Sequence, residues 1–133
     1  MTSEKIHHAT CMCGEITLEA KGPANYVEYC HCKTCQQSAG SSYIIWCVFN
    51  KEKVTITKGE MSYYKSSAKL KRGFCGNCGS TMTVITEKCH DIALGVMDQP
   101  NDFKITQHIW TKRALDHFKL DDDLPKYDED GPL

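Results

Sequence analysis

The sequence lacks the features typical of membrane-spanning, exported and nucleic-acid-binding proteins. No window reaches the roughly 18 consecutive apolar residues of a membrane-spanning helix, and no apolar segment follows the first five residues as an export signal requires. The net charge of −1 lacks the basic excess of a dedicated binder of nucleic acid or anionic membrane. We therefore expect a cytoplasmic protein with no nucleic acid and no membrane among its partners.

Low-complexity tracts, internal repeats and long linkers are also absent. The 133 residues are 41% hydrophobic and 25% charged, which is an ordinary globular composition. We predict a single domain over residues 1–133, with its core at about 9–127. Six of the seventeen acidic residues lie between Asp121 and Asp130. We interpret this segment as a solvated acidic tail that begins at about residue 121.

Hydrophobic patterning predicts a mainly β fold of several short antiparallel strands. Alternation over 16–20 is typical of a half-buried strand, and the apolar run 43–49 predicts a central strand that is covered on both faces. Residues 54–57 and 61–65 are predicted to form a hairpin around Lys58-Gly59. Further strands are predicted at 81–86, 92–97 and 104–110, and weak helical turns at 35–39 and 112–118. The pattern indicates a small sandwich or coiled-sheet fold.

Cysteine is the residue in excess, with nine in 133 residues. The odd count, the lack of an export signal and the tight Cys-x-Cys and Cys-x-x-Cys spacings favour metal binding over disulfides. Cys47 lies in the most apolar run and is predicted to be a buried small hydrophobe. Cys89 adjoins His90, and neighbouring residues in a strand face opposite ways, so this pair is a poor candidate for catalysis. The other seven cysteines form three clusters: Cys11 and Cys13; Cys30, Cys32 and Cys35; Cys75 and Cys78.

The first and third clusters together offer four sulfurs. In an extended chain, residues i and i+2 face the same way, so Cys11 and Cys13 can present both sulfurs to one ion. Cys75 and Cys78 flank a glycine-containing turn, which is the knuckle geometry of zinc ribbons. A structural zinc site needs four tetrahedral ligands. We therefore predict a structural zinc on these four cysteines, which leaves the middle cluster with three sulfurs.

The three sulfurs of the middle cluster have two interpretations, and spacing does not decide between them. Three protein ligands leave a coordination position open for water or substrate. Alternatively, folding brings in His31, Cys89 or His90 and closes a second structural site. An open three-thiolate zinc suits a further thiolate, because sulfur is a soft ligand that metal coordination holds deprotonated. The open site therefore predicts a small thiol as substrate and its addition to an electrophile as the reaction.

Three motifs follow one another in a specific order along the chain. They are Cys-x-Cys-Gly-Glu-Ile at 11–16, Cys-His-Cys-x-x-Cys at 30–35 with Gly40 following, and Arg-Gly-Phe-Cys-x-x-Cys-Gly-Ser at 72–80. In this order they resemble the glutathione-dependent formaldehyde-activating enzyme family, which also includes centromere protein V. His108-Ile109-Trp110 and Asp123-Leu124-Pro125 match its C-terminal pattern. The resemblance covers roughly residues 9–127.

The resemblance implies a β-rich fold of several coiled sheets, related to the zinc-bearing methionine sulfoxide reductase B type. The implied activity joins glutathione and formaldehyde into S-hydroxymethylglutathione and is classed as a carbon–sulfur lyase. The implied cofactors are two zinc ions per chain, a structural ion on Cys11, Cys13, Cys75 and Cys78, and a catalytic ion on Cys30, Cys32 and Cys35.

The chain departs from the family pattern beside the middle cluster. Many members carry basic residues where this chain has Gln36 and Gln37. Glutathione has two carboxylates, so a site for it should offer cationic partners, and the candidates are Lys33, Lys71 and Arg72. This departure from the family pattern bears on which substrate the site binds more than on which type of reaction it carries out.

Two classes of function are compatible with these features. The first is an enzyme that adds a small, glutathione-like thiol to a small aldehyde at the three-cysteine zinc. The second is a non-catalytic, zinc-stabilised module that binds a macromolecular partner, as the centromeric relative suggests. An open ligand position favours the enzyme, whereas a fourth protein ligand and a broad exposed apolar patch favour the module.

Overall fold

Strands dominate the computed structural model, which describes residues 4–132. In this range a three-stranded sheet contains β1 (Ile6–Thr10), β2 (Thr17–Lys21) and β5 (Val54–Lys58), paired in the order β1-β2-β5. The larger sheet contains β3 (Tyr26–Cys30), β4 (Ile44–Asn50), β6 (Ser62–Lys65), β7 (Lys71–Phe74), β8 (Thr81–Ile85), β9 (Cys89–Ala93) and β10 (Gln107–Ile109). Its seven strands have the order β10-β3-β4-β9-β8-β7-β6, and only β10 with β3 is a parallel pair.

One α-helix, α1 (Lys33–Ala39), lies between β3 and β4 in the described part of the chain. Gly40 ends it with a left-handed backbone, and the Gly40 N–H donates to the Gln36 carbonyl. No helix in residues 4–132 is long and apolar enough to cross a bilayer.

The mainly β fold class predicted from the sequence is confirmed. The apolar run 43–49 forms β4, which pairs with β3 on one side and with β9 on the other. Trp46 and Val48 face one side of the sheet, and Cys47 and Phe49 face the other, with all four side chains buried. A strand buried on both faces has no polar alternation, which explains its continuous apolar sequence.

The predicted hairpin over 54–65 is wrong. β5 pairs with β2 in the smaller sheet, whereas β6 pairs with β7 in the larger one. The Lys58-Gly59 turn therefore carries the chain from one sheet to the other. Gly59 has φ +80°, and a side chain there would collide with the Glu15 carbonyl, so the crossing requires glycine.

The main core lies between the two sheets, and a second apolar cluster covers the opposite face of the larger sheet. Cys47 is completely buried in the main core, and burial raises the pKa of its thiol to about 12, as expected for a small hydrophobe. The main core includes Ala9, Leu18, Ala20, Val27, Phe49, Met82 and Ile92. The second cluster surrounds Trp46 and includes Cys30, Cys35, Ile44, Val48, Val84, Ala93 and Ile109.

The acidic C-terminal segment is docked on the larger sheet through its backbone, while its six acidic residues are exposed. The His108 N–H donates to the Pro125 carbonyl, and the Tyr127 N–H donates to the His108 carbonyl. The Asp122 carboxylate lies 2.8 Å from Nε2 of the buried His108. An edge strand presents unpaired backbone groups, and this segment satisfies those of β10. The extent of the domain over residues 1–133 stays a prediction.

His90 on β9 is a buried imidazole that should make stability depend on pH. Burial first, and then the charges of Lys51 and Lys71, lower the pKa of His90 to about 4, against about 6.5 in an unfolded chain. Because the unfolded state then binds more protons, the free energy of unfolding should fall as the pH drops from about 6.5 to about 4. The full loss in the free energy of unfolding is about 3 kcal/mol. At pH values above the unfolded-state pKa of about 6.5 the contribution of His90 is fully retained.

The substitution His90→Leu should remove this dependence, because leucine carries no titratable group. We expect the urea midpoint of the wild type to fall more than that of the variant between about pH 7.5 and about pH 5. The difference in lost stability should be about 2 kcal/mol. Equal losses in the two proteins would contradict the assignment.

Candidate metal centres

Cys11, Cys13, Cys75 and Cys78 meet between the two sheets and form a four-cysteine cluster. Cys11 and Cys13 lie in the loop between β1 and β2, and Cys75 and Cys78 lie in the loop between β7 and β8. Their four sulfurs all lie within 4.8 Å of one another, although Cys13 and Cys75 are 62 positions apart in the sequence. The four predicted ligands are therefore brought together, and they link the smaller sheet to the larger one.

The spacing of these sulfurs fits a tetrahedral ion. Cys11 Sγ lies 3.6 Å from Cys13 Sγ, which lies 3.7 Å from Cys75 Sγ. Zinc–sulfur bonds of about 2.3 Å at tetrahedral angles put sulfurs about 3.8 Å apart. The backbone N–H groups of Ile16 and Cys78 donate to the sulfurs of Cys11 and Cys75 at 3.3 and 3.4 Å. Such donors stabilise thiolate charge, so the set can hold a zinc ion.

Cys11 and Cys13 converge through a turn, not through the extended chain that the spacing predicted. The Gly14 N–H donates to the Cys11 carbonyl at 3.0 Å, and Gly14 has φ +82°. In the other loop, the Gly79 N–H donates to the Cys75 carbonyl at 2.8 Å, and Gly79 has φ +80°. A positive φ favours glycine because it has no Cβ. Both halves of the cluster are therefore glycine-closed knuckles.

Cys30, Cys32 and Cys35 form a three-cysteine cluster where β3 leads into α1. Cys30 ends β3, Cys32 directly precedes α1, and Cys35 lies in its first turn. Residues three apart in a helix lie on one side of it, which aligns Cys32 with Cys35. The three sulfurs lie within 4.8 Å of one another, and in residues 4–132 no fourth Cys, His, Asp or Glu atom joins them. Cys30 and Cys35 are buried, whereas Cys32 is partly exposed.

The sulfurs of this cluster are close enough to share a proton or a cation. Cys30 Sγ and Cys32 Sγ are 3.2 Å apart. Hydrogen bonding to Cys32 raises the pKa of Cys30, and hydrogen bonding to Cys30 lowers the pKa of Cys32, so a proton shared between them offsets the repulsion of two thiolates. A divalent cation among the sulfurs would offset the same repulsion, so this donor set also fits a metal.

His31, Cys89 and His90 do not complete the three-cysteine cluster. The His31 ring packs against Tyr43 and Phe118, with its Nε2 3.1 Å from Nδ1 of His108. Cys89 and His90 lie on β9, where they pair with β4, and neither belongs to the set of converging ligand atoms. Of the two interpretations of the middle cluster, the geometry favours the open one.

A hydrogen-bonded chain of two histidines and an aspartate adjoins this cluster. His31 Nε2 meets His108 Nδ1, and His108 Nε2 lies 2.8 Å from Asp122 Oδ2. Both imidazoles are completely buried, and Tyr29 stacks on His108 with ring centroids 4.5 Å apart. Because His31 lies between Cys30 and Cys32 in sequence, this chain anchors the backbone that carries two of the sulfurs. Sequence patterning did not pair His108 with Asp122, since only the docked C-terminal segment brings them together.

The three cations considered as partners for glutathione occupy different environments. Lys33 is exposed on α1 and lines a groove of about 370 Å³. The Lys71 ammonium lies over the Tyr63 ring, 4.3 Å from its centroid. Arg72 is buried, with its NH2 nitrogen 3.6 Å from Cys35 Sγ. Among the three, Arg72 alone contacts a sulfur of the cluster.

Gln36 is buried and stabilises the loop beside the cluster, and it also lines the groove that Lys33 lines. Its side-chain nitrogen donates to the carbonyls of His31 and Arg113, each at 2.9 Å. Gln37 is exposed and lines the same groove as Lys33. Gln36 therefore has a structural role. A charged side chain at this position would not make the same two hydrogen bonds.

Comparisons with known proteins agree with the resemblance seen in the motifs. A family model described as glutathione-dependent formaldehyde-activating enzyme matches residues 6–113. An uncharacterized lyase of Schizosaccharomyces pombe is 30% identical over 76 residues, which are 57% of this chain and 55% of the relative. The chain thus spans about half the length of that curated relative. A crystal structure of a Rhodobacter sphaeroides protein shares the fold, with a TM-score of 0.61 and 16% identity over 74% of this chain and 96% of the other.

The substitution Cys78→Ser should destabilise the fold and remove one metal ion. The four-cysteine cluster joins loops from both sheets, and a structural zinc contributes folding free energy, about 10 kcal/mol or more in isolated fingers. The apolar core makes the contribution smaller here, so we expect a fall in melting temperature of more than about 5 °C. Differential scanning calorimetry with elemental zinc analysis measures both effects.

Cys89→Ser is the matched control, because Cys89 is a partly buried cysteine outside both clusters. It should keep the metal content of the wild type. A Cys78→Ser protein that loses its zinc but melts within about 2 °C of the wild type would contradict the structural role.

Proposed function

Because the chain belongs to the glutathione-dependent formaldehyde-activating enzyme family, we propose that it is a zinc-dependent carbon–sulfur lyase that adds a small thiol to a small aldehyde. The proposed reaction is of the S-(hydroxymethyl)glutathione synthase type, with a glutathione-like thiol and formaldehyde or a similar aldehyde as substrates. The observation that carries the proposal is the set of three converging sulfurs without a fourth protein ligand among residues 4–132.

The proposed cofactors are two zinc ions, one with a structural role and one at the reaction centre. A zinc ion bound by three thiolates leaves a coordination position for a substrate thiol and keeps its sulfur anionic at neutral pH. We assign the structural ion to Cys11, Cys13, Cys75 and Cys78, and the ion of the reaction centre to Cys30, Cys32 and Cys35.

The chain's own residues give the three-cysteine cluster one buried and one open side. Cys30 and Cys35 are held in the apolar cluster around Trp46, whose indole nitrogen lies 3.4 Å from Cys35 Sγ. Behind them, the His31–His108 hydrogen bond fixes the backbone of the motif. Cys32 is the most exposed of the three sulfurs, so substrates would approach from its side.

The groove along α1 offers a surface for the remainder of the thiol substrate. Lys33, next to Cys32 in sequence, lines it together with the Gln37 side chain. The Lys33 ammonium can pair with a substrate carboxylate, although a single exposed pair contributes only about 0.2–1 kcal/mol. The amide of Gln37 adds a neutral hydrogen bond where many relatives offer charge.

The proposed reaction balances without a further reactant. The thiol sulfur attacks the carbonyl carbon and forms one carbon–sulfur bond, while the carbonyl electron pair moves to the oxygen. The proton that leaves the thiol finally resides on the product hydroxyl. The side chains bind and orient the two substrates, and solvent at the exposed Cys32 side can transfer the proton.

The non-catalytic alternative has less support. It calls for a fourth protein ligand, which the described residues do not supply, and for a broad apolar patch. Met12 and Tyr64 are the most exposed of the large apolar side chains in the described residues. Met12 lies in the loop after β1, whereas Tyr64 lies on β6 at the edge of the larger sheet.

Cobalt substitution tests thiol binding directly. Thiolate-to-cobalt charge-transfer absorption grows with each bound sulfur, so glutathione should increase this band in the cobalt-loaded wild type. S-methylglutathione, which has no thiol, should leave the band unchanged. Cys32→Ser should abolish the increase, whereas Cys89→Ser should retain it, because Cys89 lies outside both clusters. A spectrum unchanged at saturating glutathione would contradict the enzyme and favour the binding module.

A further inference from the structure

Arg72 carries a buried positive charge without a carboxylate partner. Its side chain lies on β7 and the residue is 8% exposed. Within residues 4–132, Arg72 forms no salt bridge with an acidic side chain. Its Nε and NH1 nitrogens are buried and have no hydrogen-bond partner in that range. Burying an uncompensated charge is costly, so a nearby group should supply the opposite charge.

The register of β7 directs Arg72 into the second apolar cluster. Successive residues of a strand face opposite ways, and Lys71 is exposed while Arg72 is buried. Arg72 pairs with Val84 on β8, and Val84 pairs with Asp91 on β9, so all three share one face of the larger sheet. Asp91 lies two strands away and forms no ion pair with Arg72, which leaves the cysteines as the source of negative charge.

Cys35 is the sulfur that Arg72 contacts. The NH2 nitrogen lies 3.6 Å from Cys35 Sγ and 3.0 Å from Thr34 Oγ1, which fixes its position. The indole nitrogen of Trp46 lies 3.4 Å from the same sulfur. Cys35 Sγ therefore receives two side-chain N–H donors, one of them charged. Donors of this kind favour a thiolate over a thiol.

We propose that Arg72 is the counter-cation of the three-cysteine cluster and enables this cluster to retain a divalent metal. A divalent ion bound by three thiolates leaves the cluster with a net charge of −1. The adjacent guanidinium neutralises this buried charge. It also favours an anionic sulfur as the fourth ligand, since that ligand adds a further negative charge. Arg72 thus acts as a positioning and charge-balancing residue, and this role rests on the proposed metal binding.

Metal competition against a chromophoric chelator tests this role. Arg72→Met and Arg72→Gln remove the charge with little change in volume, and both should weaken zinc binding at the more labile site at least tenfold. The more tightly held ion of the four-cysteine cluster should be retained, since Arg72 contacts none of its sulfurs. Arg72→Lys should recover most of the affinity, because the charge returns. Lys71→Met is the control and should match the wild type, since Lys71 faces outward.

The outcomes separate this inference from the proposed function. A wild type that binds two zinc ions, with Arg72→Met and Arg72→Gln within about twofold of its affinity at both sites, would overturn the role of Arg72 alone. Equal weakening in Arg72→Lys and Arg72→Met would also overturn it, because packing and not charge would then be the cause. A wild type that binds one zinc ion only would overturn the proposed function itself.

Discussion

Four sulfurs from two loops that are distant in sequence converge where the smaller sheet meets the larger one. β7 leads from the three-cysteine cluster to this junction. Cys11 and Cys13 follow β1, and Cys75 and Cys78 follow β7, so the cluster fixes the end of β7 relative to the core between the sheets. Arg72 lies on that strand, three positions before Cys75. Arg72 turns inward to Cys35 through its pairing with Val84 on β8, and a register shift between Gly73 and Phe74 separates this pairing from the knuckle. β7 therefore connects the two clusters, because it carries Arg72, which contacts Cys35, and leads directly into Cys75.

The three-cysteine cluster is held in place on its buried side and is accessible to solvent on its other side. The buried His31 and His108 form a hydrogen-bonded chain that supports the motif from its buried side, and this chain ends at the exposed Asp122 of the docked acidic segment. Gln36 adds two hydrogen bonds from α1 to the backbone of the same region. These contacts limit the movement of the sulfurs, as a preorganised metal site requires. Cys32 at the exposed side remains the point of access.

The sequence predicted which cysteines come together better than it predicted which strands pair. Metal ligands within a motif are two or three residues apart, so local spacing places their sulfurs together whatever the rest of the fold. Strand partners are set by long-range packing, and the hairpin over 54–65 failed because β5 and β6 have equally plausible local patterns but belong to different sheets. β1, with two adjacent histidines, and β7, with a central glycine, lack the alternation that predicts a strand. The burial of Arg72 and the cation–π contact of Lys71 with the Tyr63 ring depend on the register of β7, which no local pattern specifies.

The central claim is that seven cysteines divide into a closed set of four and an open set of three. Zinc K-edge X-ray absorption of the two-zinc protein measures this division as the mean number of sulfur ligands per ion. Without added thiol, seven sulfurs shared by two ions give about 3.5 per zinc, with a lighter ligand making up the difference. Saturating glutathione should raise the value to about 4. A value of about 4 before any thiol is added, or no change on its addition, would contradict the account.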